Sequence, residues 1–163
     1  MSQRAAIPVL VFRFAGRIGA VPAELAVETM RPLPVEGLPA APSFVAGVAL
    51  IRGVPTPVVD LAALVGTPRP VAGSRGAAER AEPGRFVTVR AGTRRVALAV
   101  ESVVGLRTLP ADQVAELPAV LAEAAARGVT AVGALDGELL AVLDGARLVP
   151  DAVWLAVAGE SGG

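Results

Sequence analysis

The chain contains no cysteine, no histidine, no lysine and no tyrosine. Without cysteine there are neither disulfides nor thiolate nucleophiles, and nothing points to an oxidising compartment. Without histidine the commonest metal ligand and the commonest general acid–base are both missing. Without lysine the phosphate-binding GxxxxGK loop cannot be written. None of the five serines has a histidine to act as its base. The five aspartates are scattered over turns and lack the dense spacing of a calcium loop. No cofactor, metal or catalytic group is therefore expected, and an enzyme on this scaffold is the weakest of the alternatives. Aromatics are only 3% of residues, so the core must be aliphatic. Formal net charge is zero, which removes the electrostatic case for nucleic acid or an anionic membrane. No apolar run has the length of a membrane-spanning helix. Met1–Phe14 is interrupted by Pro8 and Arg13 and does not read as a secretory signal. A soluble cytoplasmic protein without direct membrane insertion is the expectation.

What is present is β-rich. The 163 residues, 53% apolar, suffice for one domain or for two small lobes that share a core. Ile7–Phe14 alternates, with Leu10, Phe12 and Phe14 on one face, as a half-buried strand does. Ala15-Gly16-Arg17 turns it into Ile18–Val21. Pro22 at a first helical position predicts a short helix over Pro22–Thr29. Pro32, Pro34, Pro39 and Pro42 then keep the chain extended. Hairpins follow at Val48–Val59 about Arg52-Gly53, at Arg85–Val100 about Ala91-Gly92-Thr93, and at Val129–Leu143 about Asp136-Gly137. On the return strand of the second of these, Val96, Leu98 and Val100 share a face. Asp60 and Asp144 each open a helical turn, and Glu101–Leu106 continues as strand or turn. Pro55 and Pro57 make Val54–Val59 an edge strand or one with a solvated side. Leu117–Arg127 reads as a helix stopped by Gly128. Asp151 caps a C-terminal helix, Ala152–Ala158, ended by Gly159, with Val153, Trp154 and Val157 inward. Residues 67–84, rich in Pro and Gly, read as an exposed linker.

The chain also repeats. Gly16 and Arg31-Pro32-Leu33-Pro34 match Gly92 and Arg107-Thr108-Leu109-Pro110 at a fixed offset. Arg52-Gly53 through Asp60 matches Asp136-Gly137 through Asp144 at a longer one. Two similar β units follow, each too small to be stable alone. At the equivalent turns, one unit has Arg52 where the other has the ordinary Asp136.

The stretch Gly47–Leu64 resembles the CheW family of chemotaxis coupling proteins. Gly47, Val48, Arg52-Gly53, Pro57-Val58-Val59 and Asp60-Leu61 stand at the positions of that family's best-known motif, after an Ala41–Val45 lead-in that is also similar. Leu50 stands where the family commonly has Asn. The resemblance extends over roughly residues 7–157. It implies a mainly β fold with two SH3-like five-stranded β-barrel lobes packed around a shared aliphatic core and a few short helices. On this reading the chain is a single domain with lobes near 7–66 and 85–150, a linker at 67–84 and a C-terminal helix at 151–158.

The resemblance implies a non-catalytic adaptor joining the regulatory domain of a CheA-type histidine kinase to the cytoplasmic tip of a chemoreceptor. An adaptor of the same fold in another motility or surface-sensing phosphorelay is the alternative. Arg52 matches the family's functionally important arginine; from the residues alone it could equally be solvated or paired with Asp60 or Glu28. The family's coupling glutamate aligns with Thr29, one residue after Glu28. The partner-binding candidates are Arg52, Gly53, Val48, Val54, Val27, Glu28 and Val100. The kinase side is expected near Val48–Val54, and a receptor groove between the lobes near Val27, Arg52 and Val100.

Overall fold

The computed structural model describes residues 6–64, 84–116 and 128–161. The expected helix Leu117–Arg127 and all of the 67–84 connection except Gly84 lie outside the described residues. Among the described residues eleven strands fall into two sheets. They are β1 (Ala6–Phe14), β2 (Arg17–Pro22), β3 (Ala26–Met30), β4 (Val45–Ile51), β5 (Val54–Asp60), β6 (Arg85–Ala91), β7 (Arg94–Val100), β8 (Ser102–Pro110), β9 (Val114–Glu116), β10 (Val129–Leu135) and β11 (Glu138–Leu143). Among the described residues three helices accompany them, α1 (Leu61–Leu64), α2 (Gly145–Leu148) and α3 (Asp151–Ser161), with short 3-10 turns at Ala23–Leu25 and Ala111–Gln113.

One sheet has six strands in the order β8-β1-β2-β11-β10-β9, the other five in the order β3-β6-β7-β5-β4. The repeat is visible in the pairing. Met30 faces Phe86 on β6, and the corresponding Leu106 faces Leu10 on β1. An isolated bridge joins Glu36 to Val48, and Ala115 joins Val132 at the matching place. The Asp60 N–H donates to the Phe44 carbonyl as that of Asp144 does to Gly128. The sixth strand of the second sheet is thus reduced to the single bridge at Glu36.

The strands do not sort by chain order into the expected lobes 7–66 and 85–150. The opening hairpin β1–β2 leaves its own half and lies between β8 and β11. Reciprocally, β6–β7 lies between β3 and β5. Each exchange is sealed by a parallel junction, Leu140–Val142 beside Ile18–Ala20 and Val58–Asp60 beside Ala97–Ala99. The two halves of the chain therefore complete each other, so neither sheet forms without both.

The core follows this exchange. Leu10, Phe12 and Phe14 join Val87, Val89, Val96, Leu98 and Leu143 in a core shared by both sheets. Val9, Val11, Ile18, Ala20, Leu109 and Leu140 form a second core within the first sheet. Ala49, Ile51, Val58, Phe86 and Ala97 form a third within the other. β1 is therefore buried on both faces along Val9–Phe12, not half-buried as its alternation suggests. Truncating Phe12, which is fully buried, would cost about 3–5 kcal/mol.

Two further differences have local causes. The Pro22–Thr29 helix shrinks to the turn Ala23–Leu25, and Ala26–Met30 becomes strand β3. Val27 and Thr29 are β-branched and favour a strand once β6 offers an edge to pair with. α3 begins at Asp151 itself and continues past Gly159 to Ser161. Pro150 starts it, its carbonyl accepting from the Val153 and Trp154 N–H groups.

Candidate functional site

The β4–β5 hairpin closes on two residues, Arg52 and Gly53, both with positive φ (+53° and +78°). That is the type I′ turn, whose twist matches a two-residue hairpin. Its first position favours Asn, Asp or Gly, and the companion turn Asp136-Gly137 complies with φ of +50° and +81°. An arginine there stands in a left-handed conformation that its side chain does nothing to favour.

Its side chain is nevertheless fixed. Arg52 Nε donates to Glu28 Oε2 at 3.0 Å, and a second guanidinium nitrogen donates to Oε1 at 2.8 Å. This two-point geometry is what a guanidinium offers and an ammonium does not. Arg52 remains largely exposed, while Glu28 is half-buried. The hydrogen bonds from Arg52 hold the Glu28 carboxyl below its usual range, helped by the charges of Arg52 and Arg95 and opposed by partial desolvation. Arg52 is correspondingly raised, through its hydrogen bond to Glu28 and the carboxylate charge. Of the partners the sequence allows Arg52, the structure selects Glu28.

The pairing has two structural causes. Between Ala26 and Glu28 the register with β6 shifts, making Val27 the extra residue of a bulge. Glu28 thereby faces Arg52, and Thr29 is exposed elsewhere. The second cause is sheet curvature. β3 and β5 are separated by β6 and β7, about 14 Å in a flat sheet at about 4.8 Å per strand. Contact at 2.8 Å across that span fits a sheet that rolls so that its ends approach. Met30 and Leu33 packing with Ile51 in one core shows the same closure.

Around this ion pair the hairpin tip is apolar and open. Leu50 is 66% and Val54 58% exposed. With Ile51 and Val54 flanking a two-residue turn, Leu50 directs its backbone groups to the outer edge of β4. Val48 is half-buried against the shared core, and its outward N–H and C=O are already taken by Glu36. Gly47 makes this crossing possible, because a Cβ there would lie 1.9 Å from the Glu36 carbonyl oxygen. Asp60 ends the hairpin as a helix cap, its Oδ1 accepting from the Ala62 and Ala63 N–H groups at 3.0 and 3.3 Å.

The structure thus gathers Arg52, Gly53, Val54 and Glu28 at one end of the rolled sheet, with half-buried Val27 adjoining Glu28 and Val48 further along β4. Val100 does not join them. It is 3% exposed and belongs to the shared core, so it offers no surface to a partner. Its common face with Val96 and Leu98 was the sequence signal for this. Residues not among the candidates also meet here: Arg94, Arg95 and Trp154 border Arg52 and Val54. The Arg94-Arg95 doublet directly after a turn, and the single Trp, were the available hints. Among the described residues no cluster of acids or other ligating groups could hold a metal ion, and no helix is long and apolar enough to cross a membrane.

The model of the CheW-like domain matches residues 8–153. Among solved structures the chain is similar to the scaffolding protein TtCheW from Thermoanaerobacter tengcongensis, with 17% identity and a TM-score of 0.68, covering 85% of this chain and 89% of that one. At that identity the likeness concerns the fold, two SH3-like β lobes. No curated protein matches the sequence.

Proposed function

Since the chain belongs to the CheW-like domain family, we propose that it acts as a non-catalytic adaptor in chemotaxis signalling, holding a CheA-type histidine kinase beside the cytoplasmic tip of a chemoreceptor. The observation that carries this reading is Arg52. A residue poorly suited to its turn position is kept there, exposed, and aimed by Glu28, whereas the companion turn uses Asp136. Departures of this kind from local preference mark positions kept for contact and not for stability.

The kinase contact is assigned to the hairpin tip, where exposed Leu50 and Val54 flank Arg52 and the β4 edge is open at Leu50. Apolar side chains beside an open strand edge suit a β-barrel of the kinase regulatory domain. The receptor contact is assigned to the Glu28–Arg52 end with Val27, and Val100 is withdrawn from it. The protein acts at the cytoplasmic face of receptor arrays.

Kinase autophosphorylation, measured with receptor and with or without this protein, tests the reading. Stimulation dependent on this protein, and abolished by Arg52→Glu, is expected. If Arg52→Glu leaves kinase binding, receptor binding and stimulation unchanged, the assignment of Arg52 is wrong.

A further inference from the structure

A groove of about 520 Å³ runs between α3 and the flank of β5. It exists because β7 pairs with β5 only at Val58–Asp60, leaving Val54–Pro57 uncovered on that side. Along this flank the backbone can receive no added strand. Ile51 and Val54 close the two-residue turn as a hydrogen-bonded pair, so Leu50–Pro55 and Val48–Pro57 are the non-bonded pairs. Residues 55 and 57 would therefore have directed their N–H groups away from β4, and both are proline. A partner entering here must dock through side chains.

The side chains define its chemistry. Of the apolar side chains that line it, Val54 is exposed, Trp154 is half-buried and Val157 is buried. Arg94 stacks over the Trp154 ring with its guanidinium carbon 5.0 Å from the centroid. Arg95 is exposed and makes no ion pair among the described residues. Three guanidinium groups, those of Arg52, Arg94 and Arg95, line the groove, and no carboxylate does among the described residues. Glu28 is committed to Arg52. In a chain of zero net charge this is a local concentration of positive charge beside an apolar cleft.

We propose that this groove receives an acidic amphipathic helix of a partner protein. Its apolar stripe lies against Val54 and Trp154, and its carboxylates reach Arg94 and Arg95. The inference rests on the adaptor reading in taking the occupant to be a protein, and it extends the surface at Arg52 and Val54 across the cleft to Arg94, Arg95 and α3.

Trp154 is the only tryptophan, so its emission in the full-length protein reports on this groove. The probe is a synthetic helical peptide of about five turns with Leu at i, i+3, i+4 and i+7 and Glu on the flanks. Its companions are the same peptide with every Glu replaced by Gln, and phosphatidylglycerol vesicles. A saturable change with the Glu peptide is expected, weakened about tenfold by raising salt from ~50 to ~500 mM. A similar loss is expected in Arg94→Gln/Arg95→Gln, read by anisotropy of labelled peptide so that an altered Trp154 baseline does not matter. An unchanged urea midpoint confirms that this variant folds. Equal binding of the Gln peptide, no saturable change, or a stronger response to vesicles than to peptide would overturn the proposal. Peptide binding without kinase coupling would count against the adaptor reading alone and support the groove. Coupling without peptide binding would overturn the groove alone.

Discussion

Gly47→Ala offers the most stringent test of how the hairpin is held. Gly47 has φ +147°, where a Cβ is strained whatever the space around it, and that Cβ would lie 1.9 Å from the Glu36 carbonyl oxygen. The strain alone costs about 1–3 kcal/mol. The carbonyl belongs to backbone and cannot swing aside, so residues 36 and 37 must retreat. Their retreat breaks two hydrogen bonds, Glu36 N–H to Val48 O at 2.9 Å and Val48 N–H to Glu36 O at 2.8 Å, each worth about 1 kcal/mol. The sum is about 3–5 kcal/mol. For a chain of this size that lowers Tm by roughly 6–20 °C. The urea midpoint falls by about 1.5–2.5 M if m is near 2 kcal/mol/M. Gly37→Ala is the matched control, since a Cβ at Gly37 meets nothing within 4 Å. Glu36→Ala is a second control, because the bridge uses only the backbone of Glu36. Differential scanning calorimetry of the three variants decides the matter. A Gly47→Ala protein within 2 °C of wild type, or controls destabilised as much as Gly47→Ala, would show that the 36–37 segment does not cross β4 here.

Arg52→Asn separates function from stability: the turn gains a residue suited to type I′ geometry, so thermal melting should be unchanged or slightly raised while kinase stimulation is lost. The pH dependence of the ion pair has a defined sign. The folded Glu28 carboxyl lies below its unfolded value, so the pair's contribution is complete above the ordinary Glu range near ~4.3 and disappears as pH falls through the lowered value. Melting curves of wild type and Glu28→Gln should therefore differ near neutrality and converge on acidification; a difference that grows toward low pH would refute the assignment. Asp60→Ala removes an acceptor from two N–H groups of α1 and should cost about 1 kcal/mol, read as a Tm drop of roughly 2–4 °C.

Much of this protein was written locally. The hairpin turns at Arg52-Gly53 and Asp136-Gly137, the Asp-capped turns after them, and the alternation along β7 depend on residues within a few positions of each other. Turn chemistry and side-chain alternation act over that range: both turns form as expected, and Val96, Leu98 and Val100 share one core while Ala97 enters another. The repeat was legible for the same reason, since each half carries its own copy of the local signals. Even the burial of Val100 was contained in the face it shares with Val96 and Leu98.

Other features depended on which distant edge a segment meets. Residues 26–29 read as helix while Pro22 was the strongest nearby signal, and became part of strand β3 because β6 presented unpaired backbone groups. No local pattern announced that each opening hairpin would cross into the other half's sheet, or that β1 would be buried on both faces. Arg52 and Glu28, 24 residues apart, meet because a bulge at Val27 turns the carboxylate and the rolling of the sheet brings its two ends together. The groove on α3 arises where β7 stops short of Val54, so that residues from three distant parts of the chain border one cleft. Turn and strand preferences are energies of neighbouring residues, and a sequence displays them directly. Strand exchange, sheet curvature and the meeting of charges are energies of the assembled chain, settled only when one set of edges and faces has excluded the others.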